Sequence, residues 1–303
     1  MLIAFLLFVF LSGGASVAIR ITYAELAPFW VASTRFTLAA LVFWGVAFLQ
    51  KIPLPKGRAL AGAVIFGTLT VGLGFLLISW GLVATPASLA MVLMAMVPLW
   101  TVFLSALHGV ESLSWRGLFG SLLAVLGIAY IVRGESAAHI SLAHIVAILV
   151  ATVFNAEAGV LIKKFPPNPP VMTNAVGMSV GAFILAVASL LTGEKWTIPQ
   201  QARTWTAYIY LVLFVTVLAF FLYMFVLSRW KASTTSYGFV LTPLVTIVVA
   251  SSLAGEVITP AFLVGAAMVL AGVLVGALLP SKARVEAVEE CKDRAGQVLP
   301  RCT

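Results

Sequence analysis

Ten stretches of this sequence, at 2–19, 28–49, 60–82, 87–107, 116–132, 142–162, 171–192, 206–227, 233–253 and 262–279, each run for about 18 or more residues with almost no charge. Each is long enough to cross ~30 Å of hydrocarbon as a helix. No other feature restricts the fold so strongly. A backbone in lipid must satisfy its own N–H and C=O groups, and a helix does this within a single segment. Composition agrees: 62% of the 303 residues are hydrophobic and 9% are charged, with a mean hydropathy of +1.13. That balance lies far outside what a water-soluble domain keeps dissolved. The expected fold class is an all-α integral membrane protein. The first stretch competes with a signal-peptide reading, but it lacks a basic n-region and no A-x-A-like cleavage site follows it.

Rare letters recur along the chain at one spacing. Pro98 and Pro243, Glu111 and Glu256, Gly120 and Gly265, Gly127 and Gly272, and the pairs Ala87-Ser88 and Ala232-Ser233 are all 145 residues apart, without a gap. Only six acidic residues precede position 281, so two in register with paired prolines and glycines indicate an internal duplication. The expected organisation is a first five-helix repeat over 1–139, a second over 140–280 and a cytoplasmic tail over 281–303. An odd number of helices makes the second copy enter the membrane from the opposite side, so the repeats are inverted about an axis in the membrane plane. Two inverted halves can each close one end of a shared cavity, the architecture of alternating access.

Orientation follows from Lys and Arg in alternate loops. With the N-terminus in the cytoplasm, the inner segments hold Lys51, Lys56, Arg58, Arg116, Lys163, Lys164, Arg229, Lys231, Lys282 and Arg284, against Arg20, Arg133, Lys195 and Arg203 outside. Both termini are therefore expected inside. The net charge of +8 reads as topology and contact with anionic headgroups, not as a nucleic-acid footprint. Cys291 and Cys302 lie in the tail, on the reducing side, and imply no disulfide.

The paired motifs resemble the drug/metabolite transporter superfamily, specifically its EamA-type ten-helix members. The likeness rests on Ser33-Thr34-Arg35-Phe36, on Ala87-Ser88 with Pro98-Leu99 and Glu111, on their copies Ala232-Ser233, Pro243-Leu244 and Glu256, and on the glycine-rich fifth and tenth helices. It covers residues 1–280. The resemblance implies a secondary transporter or exporter of small metabolites with a central cavity lined by helices one to four and six to nine. Within the family, the chain is similar to the YddG-like exporters of aromatic and other amino acids. It departs from the family at Leu11-Ser12-Gly13-Gly14, where a tryptophan is common, and this concerns the cavity wall.

Physical reasoning assigns the motifs roles of their own. Pro98 and Pro243 sit about twelve residues into their helices, where a proline frees a carbonyl and kinks the segment. They are candidate hinges, or static kinks that shape packing. Glu111 and Glu256 are expected to cap the N-terminal N–H groups of the following helix, the competing role being gating or substrate contact. Arg35 and Glu157 are the ionisable residues well inside the spans, about 10 Å and 22 Å below the outer surface at 1.5 Å per residue, too far apart in depth to pair directly. Arg35 either binds a substrate carboxylate or ties backbone carbonyls together. Glu157 is a proton-coupling candidate, or reaches the cytoplasmic interface near Lys163 and Lys164. The other substrate-binding candidates are Ser12, Ser16, Thr34, Ser79, Trp100, Asn155, Asn174, Tyr223 and Tyr237, polar groups that in lipid need a helix or a ligand as partner. Trp80 is a further cavity candidate, while Trp30 and Trp196, near span ends, have the positions of interfacial anchors. Small residues at Gly120/Ala124 and Gly272/Gly276 permit close backbone approach, inside the chain or between two copies.

Absences narrow the chemistry. No Asp precedes Asp293, the histidines His108, His139 and His144 stand near span ends, and no Cys lies in the spans. Neither a metal site nor a Ser-His or Cys-His pair is expected, so an enzyme is not. No P-loop pattern occurs, no cofactor is implied, and transport would run on gradients. A phosphate-bearing substrate would call for several Lys or Arg at mid-membrane, and one Arg is there. The expected function is export of small neutral or zwitterionic metabolites, foremost aromatic or hydrophobic amino acids, across a bacterial-type inner membrane. A channel-like facilitator of small amphipathic solutes and a non-transporting sensor or structural protein are the alternatives. The expected partners are a small-molecule substrate and the bilayer, with no nucleic acid and a monomeric or homodimeric state.

Overall fold

The structure is a computed structural model that describes residues 1–109, 115–134, 141–230, 232–235 and 237–275. Along these residues run α1 (Leu2–Thr22), α2 (Pro28–Leu49), α3 (Arg58–Ala84), α4 (Ala87–Leu107) and α5 (Trp115–Gly134). They are followed by α6 (Leu142–Lys164), α7 (Pro170–Leu191), α8 (Ala202–Arg229), α9 (Tyr237–Leu253, behind a helical turn at Ala232–Thr235) and α10 (Pro260–Val273). Among the described residues there is no strand. Among the described residues, seven helices are long and apolar enough to cross a membrane, and α5, α9 and α10 carry shorter apolar stretches. The chain is a multi-pass membrane protein. Pro28, Pro170 and Pro260 each stand in the first helical turn, where a missing N–H leaves no bond unmade. Thr259 completes the start of α10 by accepting from the Phe262 N–H at 3.1 Å.

Helices related by the 145-residue offset pack on each other. α2 lies along α7 and α5 along α10. The repeated glycines are the points of contact of α5 and α10: a Cβ on Gly272 would stand 2.5 Å from the Gly120 carbonyl oxygen, and one on Gly127 would stand 2.7 Å from that of Gly265. Backbone meets backbone there, within one chain.

Irregular backbone concentrates on the helices nearest the centre. α3 contains a π-helical stretch at Gly67–Gly74 and α8 another at Leu211–Ala219, each ending immediately before a phenylalanine, Phe75 and Phe220. These two also obey the 145-residue spacing, and their rings meet at 5.8 Å. α1 is interrupted at Gly14. The carbonyls beside the break find donors on other helices, Leu11 from the Tyr210 hydroxyl at 2.6 Å and Gly13 from the Thr246 hydroxyl at 2.7 Å, as apolar surroundings require. α4 breaks at Ala95–Met96, so Pro98 is the second residue of a new segment, Val97–Leu107, and not a mid-helix proline. Its absent N–H falls where a helix start has no intrahelical acceptor. Pro243 does lie inside its helix.

Candidate functional site

α1, α3, α4, α6, α8 and α9 enclose a cavity of about 110 Å³ between the two halves, several times the ~10–15 Å³ that one water needs. Its wall is largely apolar, with Phe8, Phe75, Phe220 and Phe239 among the side chains that line it. The Ser16 and Thr70 hydroxyls on this wall are buried and have no hydrogen-bond partner. Ser12, Asn155 and Tyr223 line it too. Asn155 Nδ2 donates back to the Ala151 carbonyl at 2.9 Å. The Tyr223 ring packs between Phe8 and Phe239, 5.5 and 6.1 Å away. Such a site offers an apolar body contact on most sides and lone hydroxyl or amide groups at a few points, the usual division of labour in small-molecule pockets.

Four of the ten substrate-binding residues expected from sequence, Ser12, Ser16, Asn155 and Tyr223, therefore meet at this cavity. Thr34, Arg35, Ser79, Trp100 and Asn174 stand back from it. α2 and α7 contribute nothing to its wall because they spend their small faces on each other and on α3. Thr34 on α2 donates to the Trp30 carbonyl at 2.9 Å, and Asn174 on α7 reaches the Phe220 carbonyl at 3.4 Å, leaving its Oδ1 without a partner. Arg35 is 1% exposed, with Nε and Nη2 unpartnered and the guanidinium carbon 4.6 and 4.8 Å from the Phe36 and Phe75 ring centres. Ser79 is buried, and its carbonyl accepts from the Tyr23 hydroxyl at 3.1 Å. Trp100 packs edge-on against Phe103, with Nε1 unpartnered. Trp80 stacks on His144 at 4.4 Å. The Tyr237 side chain lies outside the described residues, as does Glu111. Sequence reasoning missed Thr70, Phe75 and Phe220. The shared spacing of the two phenylalanines was the available signal.

Glu157 does not reach for the lysines. Its Oε1 lies 2.8 Å from His108 Nε2 at the end of α4, and its Oε2 is buried without a partner. Lys163 instead donates to the Leu227 and Trp230 carbonyls at the end of α8. Among the described residues no three His, Cys, Asp or Glu gather as metal ligands.

At the face assigned to the outside by the Lys/Arg count, three carboxylates each accept backbone N–H groups at a helix start in the opposite half. Glu194 takes those of Phe29 and Trp30 at 3.0 and 2.8 Å. Glu25 takes those of Gln200 and Gln201 at 2.6 and 3.1 Å. Glu256 takes the Ala87 N–H at 2.7 Å, the Ser88 N–H at 3.2 Å and the Ser88 hydroxyl at 2.6 Å. Glu256 thus caps a helix, but the helix is α4 of the other repeat and not α10, the next in the chain. Thr259 already holds the start of α10. The physical cause is the same in every case: negative charge is favoured at a helix N-terminus, where donors have no acceptor. Trp30 and Trp196 stack at 4.7 Å on this face, with Trp30 Nε1 donating to the Thr197 carbonyl.

Comparison with known proteins gives one family and a set of relatives. The family described as "EamA-like transporter family" matches residues 1–133 and again 142–277. The chain is 28% identical over 258 residues to the "Uncharacterized inner membrane transporter YedA" of Escherichia coli K12, covering 82% of this chain and 80% of that one. It is 28% identical over 250 residues to a "Probable terminal-alkyne amino-acid exporter" of Streptantibioticus cattleyicolor, covering 80% and 81%. It is 25% identical over 271 residues to a "Probable amino-acid metabolite efflux pump" of Salmonella typhimurium, covering 86% and 88%. A solved crystal structure superposes with a TM-score of 0.67 over 91% of this chain and 96% of the other at 16% identity, a likeness of fold.

Proposed function

Because the chain belongs to the EamA-like transporter family, and is a membrane transporter and not an enzyme, we propose that it exports small neutral or zwitterionic metabolites, foremost hydrophobic or aromatic amino acids. The observation that carries this reading is the cavity between the halves: apolar side chains on most sides, Phe8, Phe75, Phe220, Tyr223 and Phe239 among them, with the unpartnered Ser16 and Thr70 hydroxyls facing the same space. A purely structural core would bring such hydroxyls to a partner or do without them. The names of two relatives, an amino-acid exporter and an amino-acid metabolite efflux pump, point to the same substrate class. The membrane is a bacterial-type inner membrane with both termini cytoplasmic. The halves 1–139 and 140–280 rock about the cavity, with Pro98 and Pro243 near the pivots.

The test is uptake by liposomes containing the purified protein, over a panel of neutral amino acids, with acidic and phosphate-bearing metabolites as comparators. Saturable flux of neutral amino acids that exceeds the comparators by at least about tenfold is expected, as differential binding of one to two kcal/mol per matched group gives. Flux of no amino acid refutes the reading. Orientation is checked separately with reporter fusions near Lys51, expected cytoplasmic, and near Ala137, expected external.

A further inference from the structure

The cavity has a charged group directly behind its wall that the reading above leaves without work. Arg35 is buried to 1% exposure, yet Nε and Nη2 have no acceptor, and among the described residues no carboxylate pairs with it. A guanidinium held in lipid without an anion is an unfavourable arrangement, and such residues face partners or ligands. The two free donors are not arbitrary. Nε–H and Nη2–H point from the same edge of the planar group and together match both oxygens of one carboxylate. What covers the guanidinium is aromatic: Phe36 on its own helix and Phe75 on α3. Phe75 also lines the cavity. The Phe75 ring therefore touches both the apolar cavity and the unpaired cation, and it directly follows a π-helical stretch, a backbone irregularity frequent at functional sites. The duplication gives the charge no mate. The residue 145 positions after Arg35 is Val180, whereas Phe75 recurs as Phe220. The charge is therefore not part of the repeated scaffold.

We propose that Arg35 is the receptor for the carboxylate of the exported solute, taking both oxygens on its Nε/Nη2 edge when Phe75 moves off the guanidinium. The transported class is then zwitterionic amphiphiles recognised through their carboxylate, with the apolar side chain against Phe8, Phe220 and Phe239. This rests on the export reading, and the experiment below separates the two.

The probes are L-phenylalanine, its carboxyl-free amine (phenethylamine) and its amino-free acid (3-phenylpropionate). Each is titrated calorimetrically into the detergent-purified protein, and phenylalanine flux is measured in liposomes. Wild type is expected to bind phenylalanine and the acid at least about tenfold more tightly than the amine, the loss of a bidentate charge-assisted pair. Arg35→Gln is expected to bind all three alike and to lose phenylalanine flux. Arg35→Lys, which keeps the charge but not the fork, is expected to fall between, and it carries the test if the Gln variant does not fold. Wild type binding the amine as tightly as phenylalanine, or Arg35→Gln retaining the preference, overturns the proposal and leaves export standing. Absence of both binding and flux for phenylalanine in wild type sinks the export reading, and the proposal with it.

Discussion

Replacing Glu256 with Ala removes three hydrogen bonds that tie the α9–α10 connection to the start of α4: from Ala87 N–H, Ser88 N–H and the Ser88 hydroxyl. Loss of a side-chain cap at a helix start costs about 0.5–2 kcal/mol, and loss of negative charge from the positive end of the helix adds about 0.3–1 kcal/mol. Arg20 Nη1 lies 3.7 Å from Glu256 but is 38% exposed, so the ion pair adds little. The total is about 1–3 kcal/mol, which is about 5- to 150-fold in an equilibrium constant. If the cap exists only while this face is closed, the variant shifts the protein by that factor toward the state open at this face. A cysteine at Ser16, in a background with Cys291 and Cys302 replaced by Ser, reports the shift. Its labelling rate by a membrane-impermeant maleimide applied to this face is expected to rise by about 5- to 150-fold. An unchanged rate, with the melting temperature lowered, would mean that the cap terminates α4 equally in both states, and the reasoning fails.

Gly272→Leu is expected to force α5 and α10 apart at the Gly120 carbonyl and to destabilise the protein by about 1–3 kcal/mol, read as a lower melting temperature in detergent. Gly45→Leu, at a position with nothing within 4 Å of a Cβ, leaves that temperature unchanged. Pro243→Ala restores a backbone hydrogen bond inside α9 and is expected to slow transport without loss of folded protein, whereas Pro98→Ala, at a segment start, changes flux less. Equal effects of the two would dissolve the distinction. Glu157→Gln removes the carboxylate paired with His108, and it is expected to abolish the response of flux to an imposed pH gradient while sparing exchange. Wild-type flux that ignores a pH gradient makes the protein a uniporter and the pair structural.

The spans were legible because lipid makes every crossing segment apolar, and the inverted pairing because the duplication kept Pro, Glu and Gly in register. The cavity was legible only in part. Ser12, Ser16, Asn155 and Tyr223 stood out as polar groups in apolar runs, but Phe75 and Phe220 are ordinary letters among the chain's 20 phenylalanines. Their importance arises from where a local change of helical winding aims them. Capping by Glu256 was readable as chemistry but not as address. A carboxylate's preference for a helix start is local, whereas which start it meets depends on how two halves dock. For the same reason Thr34 and Asn174 were placed on the cavity when the close packing of α2 on α7 holds them behind it.

The two π-helical stretches also bear on how the cavity could change shape. Both end at the same place in each half, immediately before Phe75 and Phe220, 145 residues apart, so the change of winding belongs to the repeated unit and not to one half. A π-helical turn bonds i to i+5 where an α-helical turn bonds i to i+4, so a return to α-helical winding would rotate each phenylalanine about its helix axis without breaking the span. The two rings that touch at 5.8 Å would then part together, one from each half.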